Sequence, residues 1–296
     1  MSAEQILQFC FSGITTGCIY AIVALGFTII FNTTGIVNFA QGDFVMLGAI
    51  IAATLTSWFS FTLWAAVPLA IVGVAAIGWL MERLLLRNLT YDPSLFTSVM
   101  MTMGASIVIN ATAILIWGAD PLGLMAFSGE RPLRFYGATL VPQMLWIIGS
   151  IVVVMAGLTL FFRYTRIGQG MLACSMNKDA AAVVGVNTRA VTSAAFVCSA
   201  AIGGLGGTLI APITMATHDM GGLMTLKGIT AAILGGIGSV RGALVGGLLL
   251  GLLEAFSAGF ISSGYRDAIA LGLLLAVLVL KPSGITGSEG LMKLRS

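Results

Sequence analysis

The sequence predicts an all-α membrane protein, a polytopic bundle of transmembrane helices. Of its 296 residues, 58% are apolar and only 8% are charged, whereas a soluble globular protein carries about 25% charged residues. The mean hydropathy of +1.04 agrees with this. The apolar runs are long and do not alternate with polar residues, which argues against the strands of a transmembrane β-barrel.

Apolar runs of roughly bilayer-spanning length divide the chain in order. These predicted runs are 6–31, 44–59, 62–81, 95–117, 140–162, 190–211, 225–236, 243–261 and 267–280. The run at 225–236 is short, and the count falls by one if it is a half-helix that returns to the same side. We therefore expect about eight or nine transmembrane helices in a single domain that covers residues 1–296.

The basic residues predict the orientation of the chain, because cytoplasmic loops carry an excess of Lys and Arg. If the segment after the third run is cytoplasmic, that side holds ten of the fourteen basic residues: Arg83, Arg87, Arg163, Arg166, Lys178, Arg189, Arg241, Lys281, Lys293 and Arg295. The outside then keeps Arg131, Arg134, Lys227 and Arg266. This distribution predicts an outside N-terminus and a cytoplasmic C-terminus.

Two polar breaks that contain glycine interrupt the apolar runs at roughly corresponding places in the two halves of the chain. They read TTGIVNFAQGD at 33–43 and LGGIGSVRGA at 234–243. Paired interruptions of this kind point to a substrate pathway in transporters, and the alternative is a pair of ordinary turns. The candidate pathway residues in the two breaks are Asn38, Gln41, Gly42, Gly236 and Gly238.

Glu254 is the clearest charge inside a predicted span, in the run LLLGLLEAF. A charge in the bilayer is costly, so it is either a pathway residue or an acceptor that locks helices together. The alternative is an interfacial residue near the end of a span. We interpret His218 and Asp219 as a solvated pair in an outside loop. No chain of Asp, Glu and His runs through the predicted spans, which argues against a proton-driven transporter.

Several kinds of chemistry are missing from the sequence. None of the four lysines follows a glycine, so there is no phosphate-binding loop of the Walker type. The single histidine and four scattered cysteines form no metal-ligand motif. No nucleophile has a base and an orienting group in a recognisable pattern. The sequence therefore predicts a protein that is not an enzyme, holds no cofactor and binds no nucleic acid.

The polar segment 163–188 reads RYTRIGQGMLACSMNKDAAAVVGVN over 163–187. Its apolar residues Leu172, Met176, Ala180 and Val183 have helical spacing, and Gly185 is placed to end the helix. Such a helix could lie on lipid headgroups or dock into a groove of a soluble partner. Its many alanines and its single lysine favour docking.

Four blocks resemble the LivH-type permeases of the branched-chain amino acid ABC importers. These blocks are residues 13–49, 165–187, 195–212 and 226–254, in the family's order. Gln169 and Leu172 depart from the family, whose pattern usually has Arg at both positions. The resemblance implies that the second block is the cytoplasmic coupling segment, in which the contacts with the ATPase come from Arg166, Gly168, Leu172, Met176, Asp179, Ala180, Val183, Gly185 and Asn187.

The resemblance also implies a set of partners in the bacterial cytoplasmic (inner) membrane. They are a second, LivM-like permease, two cytoplasmic subunits that bind ATP-Mg, and a periplasmic or extracellular solute-binding protein. The missing Walker motif agrees with ATP being bound by other chains. The competing hypothesis is a stand-alone secondary transporter of a small organic solute, which would need an ion or proton site in its spans.

Overall fold

The computed structural model describes residues 3–86, 95–129, 132–135, 138–260, 268, 271–272, 275–277, 279 and 284–286. Within these ranges the chain is almost entirely helical. The helices are α1 (Ala3–Thr34), α2 (Gln41–Ser57), α3 (Leu63–Met81), α4 (Leu95–Trp117), α5 (Pro142–Tyr164), α6 (Arg166–Met176), α7 (Lys178–Val183), α8 (Thr188–Thr214), α9 (Met220–Gly235) and α10 (Val240–Phe260). A π-helical turn, Glu82–Leu86, continues α3.

Six of the described helices are long and apolar enough to cross a membrane: α1, α3, α4, α5, α8 and α10. The helices α2 and α9 are apolar but shorter. The chain is therefore a polytopic helical membrane protein. The last predicted span, 267–280, falls largely outside the described residues.

One element was not expected in an all-α chain. The strands β1 (Leu133–Phe135) and β2 (Ala138–Leu140) form a short antiparallel hairpin, with Leu133 opposite Leu140. The amide of Gln8 bonds to the backbone N–H of Thr139 at 2.8 Å, which ties α1 to the edge of this hairpin.

The described chain divides into two compact units. Unit 1 comprises Met1–Thr28, Ala126–Ile151 and Leu226–Ser296. Its central contact is between α1 and α10, where Gly17 lies against the backbone of Leu248 and Gly251 lies against Gly17. Glycines let helix backbones approach this closely in a membrane, because no side chain separates them.

Unit 2 comprises Ile29–Met125 and Val152–Thr225. Its core is α2, whose first ten residues, 41–50, are all buried. The helices α3 and α8 pack against α2. A side chain at Gly48 would overlap the backbone of Gly204, and one at Gly207 would overlap the backbone of Val45. The contact between α2 and α8 is therefore also a contact between backbones.

Candidate functional site

The segment 163–188, predicted as one cytoplasmic helix, forms two helices in the structure, α6 and α7. The chain turns at Asn177, whose backbone is extended at φ −157°. The expectation of one continuous helix is therefore wrong, because the apolar stripe is divided between α6, with Leu172 and Met176, and α7, with Ala180 and Val183. An asparagine side chain can bond the backbone two or three residues ahead, and this competes with helix continuation.

Three successive N-caps set the geometry of this segment. The hydroxyl of Thr165 accepts from the N–H of Gly168 at 3.0 Å and so begins α6. Asn177 caps α7 through the N–H of Ala180 at 2.9 Å, and Asn187 caps α8 at 3.1 Å. Each such cap contributes about 1 kcal/mol to helix stability.

Gly185 ends α7 with two crossed backbone bonds. Its φ is +92°, its own N–H bonds to the carbonyl of Ala182, and the N–H of Val186 bonds to the carbonyl of Ala181, both at 3.0 Å. This is the Schellman arrangement that a C′ glycine forms. The helix therefore stops at the residue where the sequence pattern ends it.

The two helices have one buried and one exposed side. Gly168, Gly170, Met171, Cys174 and Ala181 are buried within unit 2. The predicted stripe lies on the exposed side, where Met176 is 91% and Val183 87% exposed. An exposed apolar surface of this kind, on helices too short to cross a membrane, is typical of an interaction site. Burial raises the pKa of the Cys174 thiol, against a smaller opposite effect of Lys178.

The remaining predicted coupling residues frame this surface. Arg166 is the first residue of α6 and lines a groove of about 460 Å³ with Asn187 and residues from the start of α8. Asp179 lies in the first turn of α7, where a carboxylate stabilises the helix dipole. All nine predicted coupling residues are thus in unit 2.

The first break, between α1 and α2, spans residues 35–40 and is partly buried, since Gly35 is exposed whereas Ala40 is buried. Asn38 is fully buried, and Gln41 is 1% exposed. The Gln41 side chain accepts from the hydroxyl of Ser199 on α8 at 2.6 Å. The part of the break next to α2 therefore packs into unit 2, whereas Gly35 remains at the surface.

Gly42 brings the first turn of α2 against the first turns of α9. Its N–H donates to the hydroxyl of Thr225 at 2.9 Å, and that hydroxyl also bonds to the carbonyl of Phe39 at 3.0 Å. A side chain at Gly42 would overlap the carbonyl of Gly221. The glycine is therefore required for this close approach.

Asp43 was not among the predicted site residues, although it is 1% exposed and lies beside Gly221. Its carboxylate hydrogen-bonds the side chain of Ser106 on α4. A signal was present in the sequence, because the apolar run of α4 carries Ser98, Thr102, Ser106 and Asn110 at intervals of four residues. Residues four apart share one face of a helix.

This polar face of α4 contacts the first break on either side of Asn38, and it also contacts the loop before α9. Thr102 donates to the carbonyl of Val37 at 3.2 Å and accepts from the N–H of Phe39 at 3.3 Å. Asn110 donates to the carbonyl of His218 at 2.6 Å. The neighbouring Asp219 has a lowered pKa, chiefly because the Thr217 side chain bonds to it.

The second break, between α9 and α10, belongs to unit 1. Gly236 and Gly238 have φ of +106° and +93°, a region that residues with a side chain rarely adopt. A side chain at Gly235 would overlap the backbone of Gly242. The break is therefore a tight turn whose two flanking helices touch through their backbones.

Glu254 is fully buried in unit 1 and is paired. Lys227 on α9 forms an ion pair with it, and the hydroxyl of Tyr20 on α1 donates to it at 2.8 Å. The charge argument counts Lys227 with the outside residues, but it lies within α9 and only 14% of its side chain is exposed. The carboxylate therefore joins three helices, α1, α9 and α10.

Among the described residues, no three His, Cys, Asp or Glu side chains are grouped closely enough to hold a metal ion. The polar groups of both units are instead hydroxyls, amides and single carboxylates. Such groups can bind a small polar solute.

Comparison with known proteins gives a consistent result. Residues 9–278 match the family described as "Branched-chain amino acid transport system / permease component". The chain is 33% identical to the high-affinity branched-chain amino acid transport system permease protein LivH of Escherichia coli K12, over 96% of this chain and 97% of that protein. It is 32% identical to the corresponding protein BraD of Pseudomonas aeruginosa, over 95% of each chain.

One solved structure is similar in fold. PsaBC from Streptococcus pneumoniae, in complex with Fab, matches with a TM-score of 0.52 and 12% identity, over 96% of this chain and 94% of that one. At this identity the match shows the shared fold alone.

Proposed function

The chain belongs to the family of branched-chain amino acid transport system permease components, and from this membership we propose that it forms the translocation pathway of an ATP-driven importer together with a second permease. The observation that carries the proposal is the family match over residues 9–278. The substrate class is branched-chain or other small amino acids, by analogy with the relatives that match along nearly their whole length. The comparisons give no support to a stand-alone secondary transporter.

The proposed partners are a LivM-like permease, two cytoplasmic ATP-binding subunits and an external solute-binding protein. The ATP-Mg is bound by the ATPases, which agrees with the absence of a Walker motif from this sequence. The role of this chain is then to convert the movement of its partners into alternating access to the pathway.

The surface of α6 and α7 is the proposed contact with an ATPase. Leu172, Met176 and Val183 are exposed there, and Arg166 and Asn187 border the adjacent groove. Short helices that bury one side and expose apolar residues on the other can dock into a groove of a partner. The caps at Asn177 and Gly185 hold α7 at a fixed angle, which suits the transmission of a rigid-body movement.

The orientation we propose has the N-terminus outside and the C-terminus in the cytoplasm of a bacterial inner membrane. The charge argument is supported by the ion pair of Lys227, which is buried. Because Lys227 is not a loop residue, it is omitted when the basic residues on the two sides are counted. Ten basic residues then face the cytoplasm and three, Arg131, Arg134 and Arg266, face outside.

The two breaks are the proposed pathway elements, with Asn38, Gln41 and Gly42 in one and Gly236 and Gly238 in the other. Irregular backbone at membrane depth is tolerated where it is buried in protein or lines a cavity. Glu254 is different, because its bonds to Lys227 and Tyr20 favour a locking role over direct contact with the solute.

Reconstitution into liposomes tests the proposal. Uptake of labelled leucine should require the second permease, the ATPases, ATP and the loaded binding protein, and the purified chain alone should hydrolyse no ATP. Uptake by the chain alone, driven by a proton or sodium gradient, would show a secondary transporter instead.

A further inference from the structure

Two buried side chains at the start of α2 each leave one polar atom without a hydrogen-bond partner. These atoms are Nδ2 of Asn38 and Oδ2 of Asp43, in side chains that are 0% and 1% exposed. A buried polar atom without a partner costs free energy. Such a cost is often retained where the atom has a function.

The rest of each side chain is held by hydrogen bonds. Asn38 Oδ1 accepts from the N–H of Ala40 at 3.1 Å, and the Asp43 carboxylate bonds to Ser106. One orphaned atom is therefore a neutral N–H donor, and the other is an acceptor on a carboxylate.

The polar face of α4 brings the two groups to one place in unit 2. Thr102 bonds to Val37 and Phe39, on either side of Asn38, and Ser106 bonds to Asp43. Thr102 and Ser106 are one turn apart on α4, which is about 6 Å along the helix axis. The third orphaned atom is Nε1 of Trp117, a residue about 16 Å beyond Ser106 along the axis of α4.

A donor and an anionic acceptor match in chemistry the two ends of an amino acid zwitterion. An ammonium group donates to a carboxylate, and a carboxylate accepts from an amide. The N-terminus of α2, next to Asn38, adds partial positive charge that favours the solute's carboxylate. At Gly42 and Gly221 the backbones of α2 and α9 meet beside Asp43 with no room for a side chain between them.

We infer that Asn38 and Asp43 bind the zwitterionic head group of the transported amino acid, with Asp43 taking the ammonium and Asn38 the carboxylate. This inference rests on the proposed function and names the head-group site on the pathway. Both side chains are closed off from solvent in this structure, so binding requires the contact between α2 and α9 at Gly42 and Gly221 to open. The site is thus occluded in this state and accessible in another.

A purely structural role for Asp43, as an acid in the first turn of α2, makes a different prediction. A structural residue would change stability, whereas a head-group site changes uptake at unchanged stability. The near-isosteric variants Asp43→Asn and Asn38→Asp separate the two roles, because each keeps the shape of the side chain. Asn38→Asp also keeps the acceptor for the N–H of Ala40.

The test uses the complete reconstituted complex with its ATPases and binding protein, and labelled leucine as the probe. Each single variant should lower uptake at least about tenfold, the size expected for one lost charge-assisted bond. Complex yield and melting temperature should stay at wild-type values.

The double variant that carries both Asn38→Asp and Asp43→Asn again has one donor and one acceptor. Its uptake should be several-fold higher than that of either single variant. Asp120→Asn, in an exposed loop, is the matched control and should transport normally.

Uptake within twofold of wild type in both single variants would overturn the inference, and so would lost uptake that tracks a lowered melting temperature without recovery in the exchange. If the single variants do not assemble, Ser106→Ala replaces them, since it removes only the hydroxyl that bonds to Asp43. Reduced uptake in an assembled Ser106→Ala complex supports the site, and normal uptake contradicts it. A wild-type complex without ATP-dependent leucine uptake would instead contradict the proposed function.

Discussion

Lys227 on α9 and Glu254 on α10 form an ion pair inside unit 1, where the carboxylate is fully buried. The Tyr20 hydroxyl on α1 shares that carboxylate at 2.8 Å. Three helices therefore meet at one charge, and the pair is well placed to hold them in register. Removing one partner of a buried pair leaves a charge without compensation, which costs more than the pair itself contributes.

We predict that Lys227→Met lowers the melting temperature of the purified permease strongly, by the equivalent of about 3–5 kcal/mol. Adding Glu254→Leu to it should recover a large part of the loss, since the double variant has no buried charge. Thermal unfolding in detergent measures both, with the exposed Lys178→Met as the control. A double variant that is less stable than the single one would rule out this account.

We predict that Ala180→Glu in α7 uncouples transport from the ATPases. Docking of this exposed surface would bury a charge without a partner, at a cost of several kcal/mol. Uptake should fall while the chain still inserts in the membrane, and ATP hydrolysis should lose its dependence on the loaded binding protein. The same substitution at Ala119, in an exposed loop, should have no effect. Normal uptake and stimulated hydrolysis in Ala180→Glu would show that α7 is not the coupling element.

We predict that Gly236→Ala reduces assembly or transport, because a side chain at φ +106° strains the turn between α9 and α10. Such strain costs about 1–3 kcal/mol. Gly157→Ala is the matched control, since a side chain there meets nothing within 4 Å. If the two variants have equal uptake and equal yield, the turn between α9 and α10 does not require a glycine at position 236.

We predict that a cysteine at Asn38 is labelled slowly at rest and faster during turnover. Position 38 is closed to solvent in this structure, and alternating access would expose it. The four native cysteines are first replaced, and labelling with a small maleimide is compared with and without ATP and loaded binding protein. If neither ATP nor the loaded binding protein changes the labelling rate, residue 38 lies in an ordinary turn and not in the pathway.

We predict that Cys174 reacts with thiol reagents only at a higher pH than an ordinary cysteine. Burial raises the pKa of its thiol, so at a given pH less of the reactive thiolate is present. A cysteine introduced as Met176→Cys, on the exposed side of α6, should react faster, and added ATPase should protect it. A faster reaction at Cys174 than at position 176 would contradict the assignment of the two sides.

The apolar runs predicted most helices because bilayer thickness sets their length. The run 95–117 coincides with α4, and the start of α2 was placed three residues late because Gln41 and Asp43 read as loop residues. Those residues are helical and buried because Ser199 and Ser106 bond to them. A contact of this kind joins distant parts of the chain and leaves no local signal.

The sequence near Asn177 indicates that the coupling segment is divided into two helices, but the regular spacing of the apolar residues obscured this. Asn177 followed by Lys178 and Asp179 is typical of an N-cap with an acid in the first helical turn, but Leu172, Met176 and Ala180 continue the helical spacing across it. The pairing of Lys227 with Glu254 had no such signal, because the two residues are 27 positions apart on different helices. Position within a span suggested that Glu254 matters, and only the fold shows its partner.

The glycine contact between α1 and α10 also bears on how the protein is made. Tyr20 and Glu254, which bond across these two helices, are 234 positions apart. At about 5–20 residues per second, the ribosome delivers α10 roughly 10–50 s after α1. Through that interval α1 has to remain in the bilayer on its own apolarity, with its glycine face open to lipid or to a transient companion. Closure of unit 1 is therefore a late event in biogenesis, and a chain that ends before α10 would leave its first helix inserted without its permanent neighbour.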